Sequence, residues 1–448
     1  MAESRTIAFH TLGCKLNFAE TSSIGKQFRD AGYGKVSMED KPDVFLLNTC
    51  SVTENADREC RTVVNRALSV NPDAIVVVTG CFAQLKPETI ASIPGVDLVL
   101  GASEKFNAPR YVDQIRNKGI ATVHSCDIET VAGFVSSWSS GDRTRVFLKV
   151  QDGCDYNCSF CTIPLARGAS RSNSISGVLN EISKIVDSGA KEIVLTGINL
   201  GDFGIDEQGK RVETLFGLLS AIEELAPPVR IRLSSVEPNL LEDRIISLVA
   251  SSRIFMPHFH LPLQSGSDAV LRRMRRRYLS GLYSDRVNAI KTLMPHASIG
   301  MDVIVGFPGE TDDEFMQTMD FIRETDVTYL HVFTYSERNN TLAATMESAV
   351  APATRKERNR MLRILSEKKN RAFSENNAGR WLDVLFESEN KDGNIHGYTP
   401  NYIRVSAPFS SELINKVVRC RISGPDADSN VTALEGHEQN TNTITLFS

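Results

Sequence analysis

The sequence predicts an α/β protein in three parts: an N-terminal doubly wound parallel sheet, a central incomplete (β/α)6 barrel and a small antiparallel β-barrel at the C-terminus. Three observations carry that prediction. Apolar strand-like runs alternate with helix-like stretches from Thr6 to Phe333. After Asn377 the pattern changes to short alternating strands broken by turn clusters. The 448 residues, at roughly 100 to 200 per domain, leave room for about three domains. Expected boundaries are 1–130, 140–372 and 375–440.

Composition excludes several classes. With 41% hydrophobic and 23% charged residues the balance is globular, which rules out disorder and fibres. No apolar run approaches the roughly 18 residues of a membrane span. The opening residues lack the basic-then-apolar layout of a secretory signal, so a cytoplasmic location is expected. A net charge of −5 offers no global basic excess, so any nucleic-acid site must be local. Nine cysteines, an odd number in a long cytosolic chain, suit metal or redox use better than disulfides.

In the first part, TIAFHTLG leads to Cys14, VFLLNT to Cys50 and IVVVTG to Cys81, while VDLVLG meets Ala102 at the matching place. Helix-like stretches at 20–29, 57–68 and 87–93 separate these strands. Ligands of such sheets lie beyond the carboxyl ends of the strands, where loops far apart in sequence converge. A lone cysteine is usually a small buried hydrophobe. Three at equivalent topological positions point instead to one thiolate cluster.

The barrel opens with VFLKVQDG and then GCDYNCSFC, which sets Cys154, Cys158 and Cys161 at C-x3-C-x2-C spacing. Three thiolates on one tight loop suit an iron–sulfur cluster. A four-iron cubane with three protein ligands keeps one iron open to an outside molecule, unlike a closed four-cysteine carrier or a structural zinc site. Strands are expected at 146–151, 193–196, 231–234, 258–263, 299–306 and 329–333, six βα units with the site at their carboxyl ends. His10, His258, His260 and His331 lie on or beside strands and read as packed or hydrogen-bonded residues without a catalytic role. Cys60, Cys126 and Cys420 lack a partner at ligand spacing and read as packing residues. In GFPGETDDEF, Thr311 and Glu314 have the spacing of a capping box, and the Gly-Lys-Ser/Thr of a phosphate loop is missing.

Basic residues gather in LRRMRRRY and in 355–371, where eight basic residues face two acidic ones. Met361, Leu362, Ile364 and Leu365 give the second stretch an apolar stripe, which predicts a helix packed on the barrel with its charges outward. The C-terminal strands are WLDVLFE, NYIRVSA, KVVRCRI and VTALEG, and this part is acidic, with six basic and nine acidic residues from Asn377 onward. Any RNA binding there needs shape and stacking, for which Tyr398 and Tyr402 are candidates.

GCDYNCSFC resembles the signature of radical S-adenosylmethionine (SAM) enzymes, and the preceding three-cysteine set makes the chain similar to the methylthiotransferases. HTLGCKLN, IPLARGASRS, LTGINLGDFG, RLSSVEP, HLPLQSGSDAVLRRMRRRY and DVIVGFPGETDDEF all match, and GYTPNYIRV resembles the RNA-binding TRAM domain. GCKLN looks like the subgroup acting on threonylcarbamoyl-adenosine in tRNA, rather than on isopentenyl-adenosine or a ribosomal-protein aspartate. The resemblance implies two [4Fe-4S] clusters and SAM. Cys14, Cys50 and Cys81 would hold the auxiliary cluster that carries the extra sulfur, which one SAM methylates. Cys154, Cys158 and Cys161 would hold the cluster that cleaves a second SAM to a radical, which takes hydrogen from C2 of the adenosine 3′ of the anticodon. It further implies a tRNA substrate, an electron donor such as a flavodoxin or ferredoxin, a sulfur source and no membrane. Position at strand ends, supported by the resemblance, suggests Phe160 against the SAM adenine. Thr196, Gly197 and Asn199 would bind its amine, Ser235 and Glu237 its ribose, and Gln264 and Arg276 its carboxylate. A non-catalytic iron–sulfur RNA-binding protein is the reading from a different class.

Overall fold

The computed structural model describes residues 5–50, 54–115, 118–131, 133–139, 144–206 and 208–436. Residues 1–4 of the expected first domain and 437–440 of the expected third lie outside the described residues. Six parallel strands form the first sheet: β1 (Thr6–Thr11), β2 (Gly34–Lys35), β3 (Val44–Thr49), β4 (Ile75–Gly80), β5 (Leu98–Leu100) and β6 (Thr122–His124), in the order β2-β1-β3-β4-β5-β6. Its central strands β3, β4 and β5 are buried on both faces, and alternate residues feed two cores. Phe45, Leu47, Val76 and Val78 pack with Val63, Val64 and Ala67 of the helix Glu54–Val70. Val44, Leu46 and Val77 pack with Ile24 and Phe28 of the helix Lys15–Asp30. This period of two on a sheet covered on both sides is what makes it doubly wound.

The central part adds β7 (Ser137–Trp138), β8 (Arg145–Lys149), β9 (Gln151–Asp152), β10 (Arg171–Ser172), β11 (Glu192–Thr196), β12 (Arg230–Leu233), β13 (His258–Gln264), β14 (Ser298–Val305) and β15 (Tyr329–Thr334). Strands β8, β11 and β12 pair in parallel, as do β13, β14 and β15. The two halves meet through the isolated bridges Ile231–Phe255 and Ser235–His260. The six barrel strands start and stop within two residues of the expected spans. Val178, Ile182 and Ile185, on one stripe of the helix Ile175–Asp187, join the core of these strands, as the helical period requires. Thr311 and Glu314 form the expected capping box, and Glu314 also receives Arg273 at 2.7 Å.

The helix Pro352–Glu375 lies along β15. Ser366 accepts the Leu330 N–H at 2.8 Å, and Asn359 donates to the Val332 carbonyl at 3.2 Å, so the helix covers the outer edge of the barrel sheet. Here the expectation of outward charges is corrected at two positions. Arg355 and Arg358 are buried, the first on Glu337 at 2.6 Å and the second between Glu310 at 2.6 Å and Asp312 at 2.7 Å. Ile364 of the expected apolar stripe is instead exposed.

The chain ends in a closed barrel of β16 (Trp381–Lys391), β17 (Asn394–Tyr398), β18 (Arg404–Pro408), β19 (Val417–Ile422) and β20 (Val431–Gly436). Pairing is antiparallel except between β18 and β20, which closes the cylinder in parallel. Strand β17 was not expected. It is entered by the turn Asp392-Gly393, with φ of 52° and 77°, a two-residue hairpin geometry in which glycine takes the second position without strain.

Candidate active site

Three adjacent strands deliver the first cysteine set. Cys14 caps the helix Lys15–Asp30, Cys50 follows β3, and Cys81 opens the helix Cys81–Leu85 directly after β4. The loops touch. A Cβ at Gly13, where φ is +98°, would stand 2.8 Å from the Cys50 Sγ, and one at Gly80, where φ is +100°, would stand 2.2 Å from the Thr49 carbonyl oxygen. Only glycine permits this approach. Asn17 stitches the loops together, its Nδ2 donating to the Leu12 carbonyl at 2.8 Å and the Thr49 carbonyl at 3.0 Å.

The same asparagine reaches the barrel, because its Oδ1 accepts from Arg167 at 2.7 Å. Arg167 ends the helix Ile163–Arg167, which begins two residues after Cys161. Around it lies a buried charge network. Glu20, fully enclosed, takes Lys105 at 2.7 Å, Arg167 at 3.0 Å and Lys149 at 3.1 Å. Asp152 takes Arg167 at 2.9 Å, Lys149 at 3.3 Å and Arg171 at 3.4 Å. Two carboxylates thus face four cations. Burial raises the Cys81 pKa, while Arg167 and Lys105 pull it down. The cationic excess beside Cys14, Cys50 and Cys81 fits an anionic thiolate-bound cluster.

The second set stands on one loop. The Cys154 N–H donates to the Gly168 carbonyl at 3.1 Å, which pins the loop to the end of the following helix. Each sulfur receives a donor: Tyr156 N–H on Cys154 at 3.4 Å, Ile163 N–H on Cys161 at 3.4 Å and Arg276 on Cys158 at 3.0 Å. Burial pushes Cys154 and Cys161 up to about 12, so the free thiols are neutral, and a bound metal is needed to hold them as thiolates. Donors aimed at sulfur match a cluster ligand set, which disperses negative charge onto its thiolates.

The structure divides the expected SAM-contacting residues among four places. Phe160 and Gln264 line a cavity of about 240 Å3 with Cys161, Asp302 and Phe333. Gln264 sits at a bulge of β13 with φ of +69°. Glu237 and Arg276 pair with each other beside Cys158. Asn199 is held by Gln151 and donates to Asp202 at 2.7 Å. Thr196, Gly197 and Ser235 face a larger cavity of about 610 Å3, which shares Phe333 as a wall with the first.

That larger cavity draws on all three parts of the chain: Cys14 and Lys15, the inner barrel face, and Tyr402. Histidines that looked like packing residues line it. His260 bridges Ser235 at 2.7 Å and Asp302 at 3.2 Å, and His258 bonds the Tyr329 hydroxyl at 2.9 Å. His260, Asp302 and His331 bring their ligand atoms within 4.8 Å of one another. Burial drives His258 and His331 down, so both are neutral. The signal in the sequence was the period of two in HFHLPLQ, which turns His258 and His260 to one face of β13.

Tyr398 and Tyr402 do not project as free stacking platforms. Tyr402 lies tilted against His258 at 4.3 Å and stacks on Tyr398 at 4.8 Å, with Arg232 over its ring at 4.8 Å, while Arg145 covers Tyr398 at 4.3 Å. They close the barrel against the C-terminal part. Of the arginine run 272–277, Arg273 and Arg276 are consumed by Glu314 and Glu237, and Arg277 covers Tyr156 at 4.0 Å. Arg272 and Arg275 remain exposed. Cys60 and Cys420 pack in cores, and the Cys126 Sγ lies 3.2 Å from the Ser103 hydroxyl.

The chain is similar to several known proteins. Residues 6–101 match the uncharacterized protein family UPF0004, and residues 148–322 match the radical SAM superfamily. The chain is 39% identical over 429 residues to the threonylcarbamoyladenosine tRNA methylthiotransferase MtaB of Bacillus subtilis, covering 93% of each chain. It is 37% identical to the MtaB of Aquifex aeolicus, covering 93% of this chain and all of that one. A tRNA-2-methylthio-N(6)-dimethylallyladenosine synthase of Clostridium botulinum is 31% identical, over 92% of this chain and 93% of the relative. In fold, the chain is similar to the radical SAM methyltransferase TsrM of Kitasatospora setae, with a TM-score of 0.55, 14% identity and coverage of 76% and 77%.

Proposed function

The chain belongs to the radical SAM tRNA methylthiotransferase family, and from that premise we propose that it inserts a methylthio group at C2 of N6-threonylcarbamoyladenosine next to the anticodon. The observation that carries this reading is the position of Asn17. One side chain holds the Cys14 and Cys50 loops and, through Arg167, the helix that follows Cys161. Two cysteine sets so closely tied suit a reaction that must bring a sulfur and a hydrogen acceptor to one carbon. The finer substrate assignment draws support from identities of 34–39% to relatives named for threonylcarbamoyladenosine, against 30–31% for those named for dimethylallyladenosine.

In this reading the units expected at 1–130, 140–372 and 375–440 supply the sulfur site, the radical site and the seal at the barrel end. Cys154, Cys158 and Cys161 hold the cluster that binds SAM, and Cys14, Cys50 and Cys81 hold a second [4Fe-4S] cluster. Bound there, these groups would supply radical and sulfur chemistry at an unactivated aromatic C–H, which no side chain can offer. The protein's own work is placement. Phe160 and Gln264 shape the pocket at Cys161, Arg276 steadies the Cys158 thiolate, and Glu237 fixes Arg276. Thr196, Gly197 and Ser235 border the space for the base, and Asn199 keeps the loop after β11 in place. An electron donor such as a flavodoxin or ferredoxin and a sulfur source complete the system. No described helix is long and apolar enough to cross a membrane, and action on tRNA in the cytoplasm fits the reading. Anaerobically reconstituted protein should contain about eight irons per chain. It should modify an anticodon stem-loop bearing threonylcarbamoyladenosine and leave the dimethylallyl counterpart unmodified. About four irons, or preference for the dimethylallyl stem-loop, would refute the corresponding half.

A further inference from the structure

Lys15 follows Cys14 at the start of the helix Lys15–Asp30, and its side chain borders the larger cavity. Three cations line that space. Arg145 is matched by Glu387 at 3.1 Å and Arg232 by Glu192 at 2.9 Å. Asp302, which lines the smaller cavity, is engaged by His260 at 3.2 Å. Among the described residues, Lys15 has no carboxylate within ion-pair distance. Lys15 is itself exposed, so its ammonium stands open to an anion that enters the cavity, and a charge-assisted hydrogen bond is the contact it offers. The side chains of His258, Tyr329 and Tyr402, whose rings pack against one another, form another part of the lining and give the space an aromatic wall beside the cations.

We propose that Lys15 is the anion-binding residue that receives the carboxylate of the threonylcarbamoyl side chain and thereby selects this substrate. The inference rests on the substrate reading above. A threonylcarbamoyl group ends in a carboxylate, whereas a dimethylallyl group is hydrocarbon and offers Lys15 nothing. C2 of adenine and C6, which carries N6, both flank N1, so seating the N6 substituent beside Cys14 would leave C2 on the same edge of the base, towards the same cysteine loop. Recognition and sulfur delivery then come from neighbouring residues of one segment.

The test is binding of the full-length, cluster-reconstituted protein, without reductant, to three anticodon stem-loops. One carries threonylcarbamoyladenosine, one its carboxamide analogue and one unmodified adenosine. The wild type should bind the carboxylate form about 10- to 100-fold more tightly than the carboxamide, the range of a charge-assisted hydrogen bond. Lys15→Gln should abolish that ratio, and Lys15→Arg, which keeps the charge, should retain most of it. A wild type that does not discriminate, or a K15Q variant that still does, overturns the proposal. So does an equal loss on all three stem-loops, which would make Lys15 a phosphate contact. If the proposal fails in this way while cells lacking the gene still lose methylthio-threonylcarbamoyladenosine, the role of Lys15 falls and the reaction assigned to the chain stands.

Discussion

Replacing Glu20 by Gln removes one of two carboxylates from the buried network that joins the first sheet to the barrel, at almost constant volume. Lys105, Lys149 and Arg167 all lie within 3.1 Å of its Oε1. Breaking a buried ion pair from one side costs about 3–5 kcal/mol, because the orphaned charge stays desolvated. Lys149 and Arg167 keep Asp152, whereas the one ion pair of Lys105 among the described residues is with Glu20. The loss should therefore fall mainly on Lys105, and adding Lys105→Met should return about 2 kcal/mol. Native-state hydrogen exchange across the helix Lys15–Asp30 measures this without assuming two-state unfolding. The pH dependence follows. Burial raises the Glu20 pKa, but Arg167, Lys105 and Lys149 outweigh it and hold the carboxyl well below its ordinary value. Its stabilisation is thus complete above about pH 5 and lost as the pH falls through the ordinary carboxylate range and below. The Gln variant should lack this component of acid sensitivity. A double variant no more stable than Glu20→Gln alone would refute the charge-balance argument.

Cys158→Ala should abolish reductive SAM cleavage, whereas Cys50→Ala should spare cleavage and stop sulfur insertion; chromatography of cleavage products and modified nucleosides separates the two, and full insertion by the Cys50 variant would sink the division of labour. Tyr402→Ala should loosen the C-terminal barrel from the central one by about 3 kcal/mol, the scale of losing a packed aromatic ring. Faster proteolysis between Glu375 and Trp381 would report it. Tyr402→Phe, which loses only the 3.3 Å bond from Arg145, should cost about 1 kcal/mol.

Both cysteine sets were legible in the sequence because each follows a strand, and strand ends are local features. The barrel strands were legible for the same reason. The network that joins the sets was not, since Arg167 lies 150 residues from Asn17 and 147 from Glu20. Asn17 and Glu20, three apart on one helix, carry no mark of a shared partner until the barrel is docked. Arg355 and Arg358 read as solvated charges because Glu337 and Glu310, which draw them inward, come from other elements. Strand β17 was missed because NIHGY holds few strand-forming residues and gains its place from pairing with β16 and β18. Tyr398 and Tyr402 read from the sequence as candidates for stacking on bases; Arg145, Arg232 and His258 hold them at the barrel interface.

Nucleoside mass spectrometry of tRNA decides both the reaction and its substrate. Cells lacking this gene should lose the methylthio form of threonylcarbamoyladenosine and accumulate its unthiolated parent, with restoration by the wild-type gene but not by one encoding Cys50→Ala. Loss of the methylthio dimethylallyl nucleoside instead would contradict the substrate, and an unchanged profile of both would contradict the reaction on tRNA.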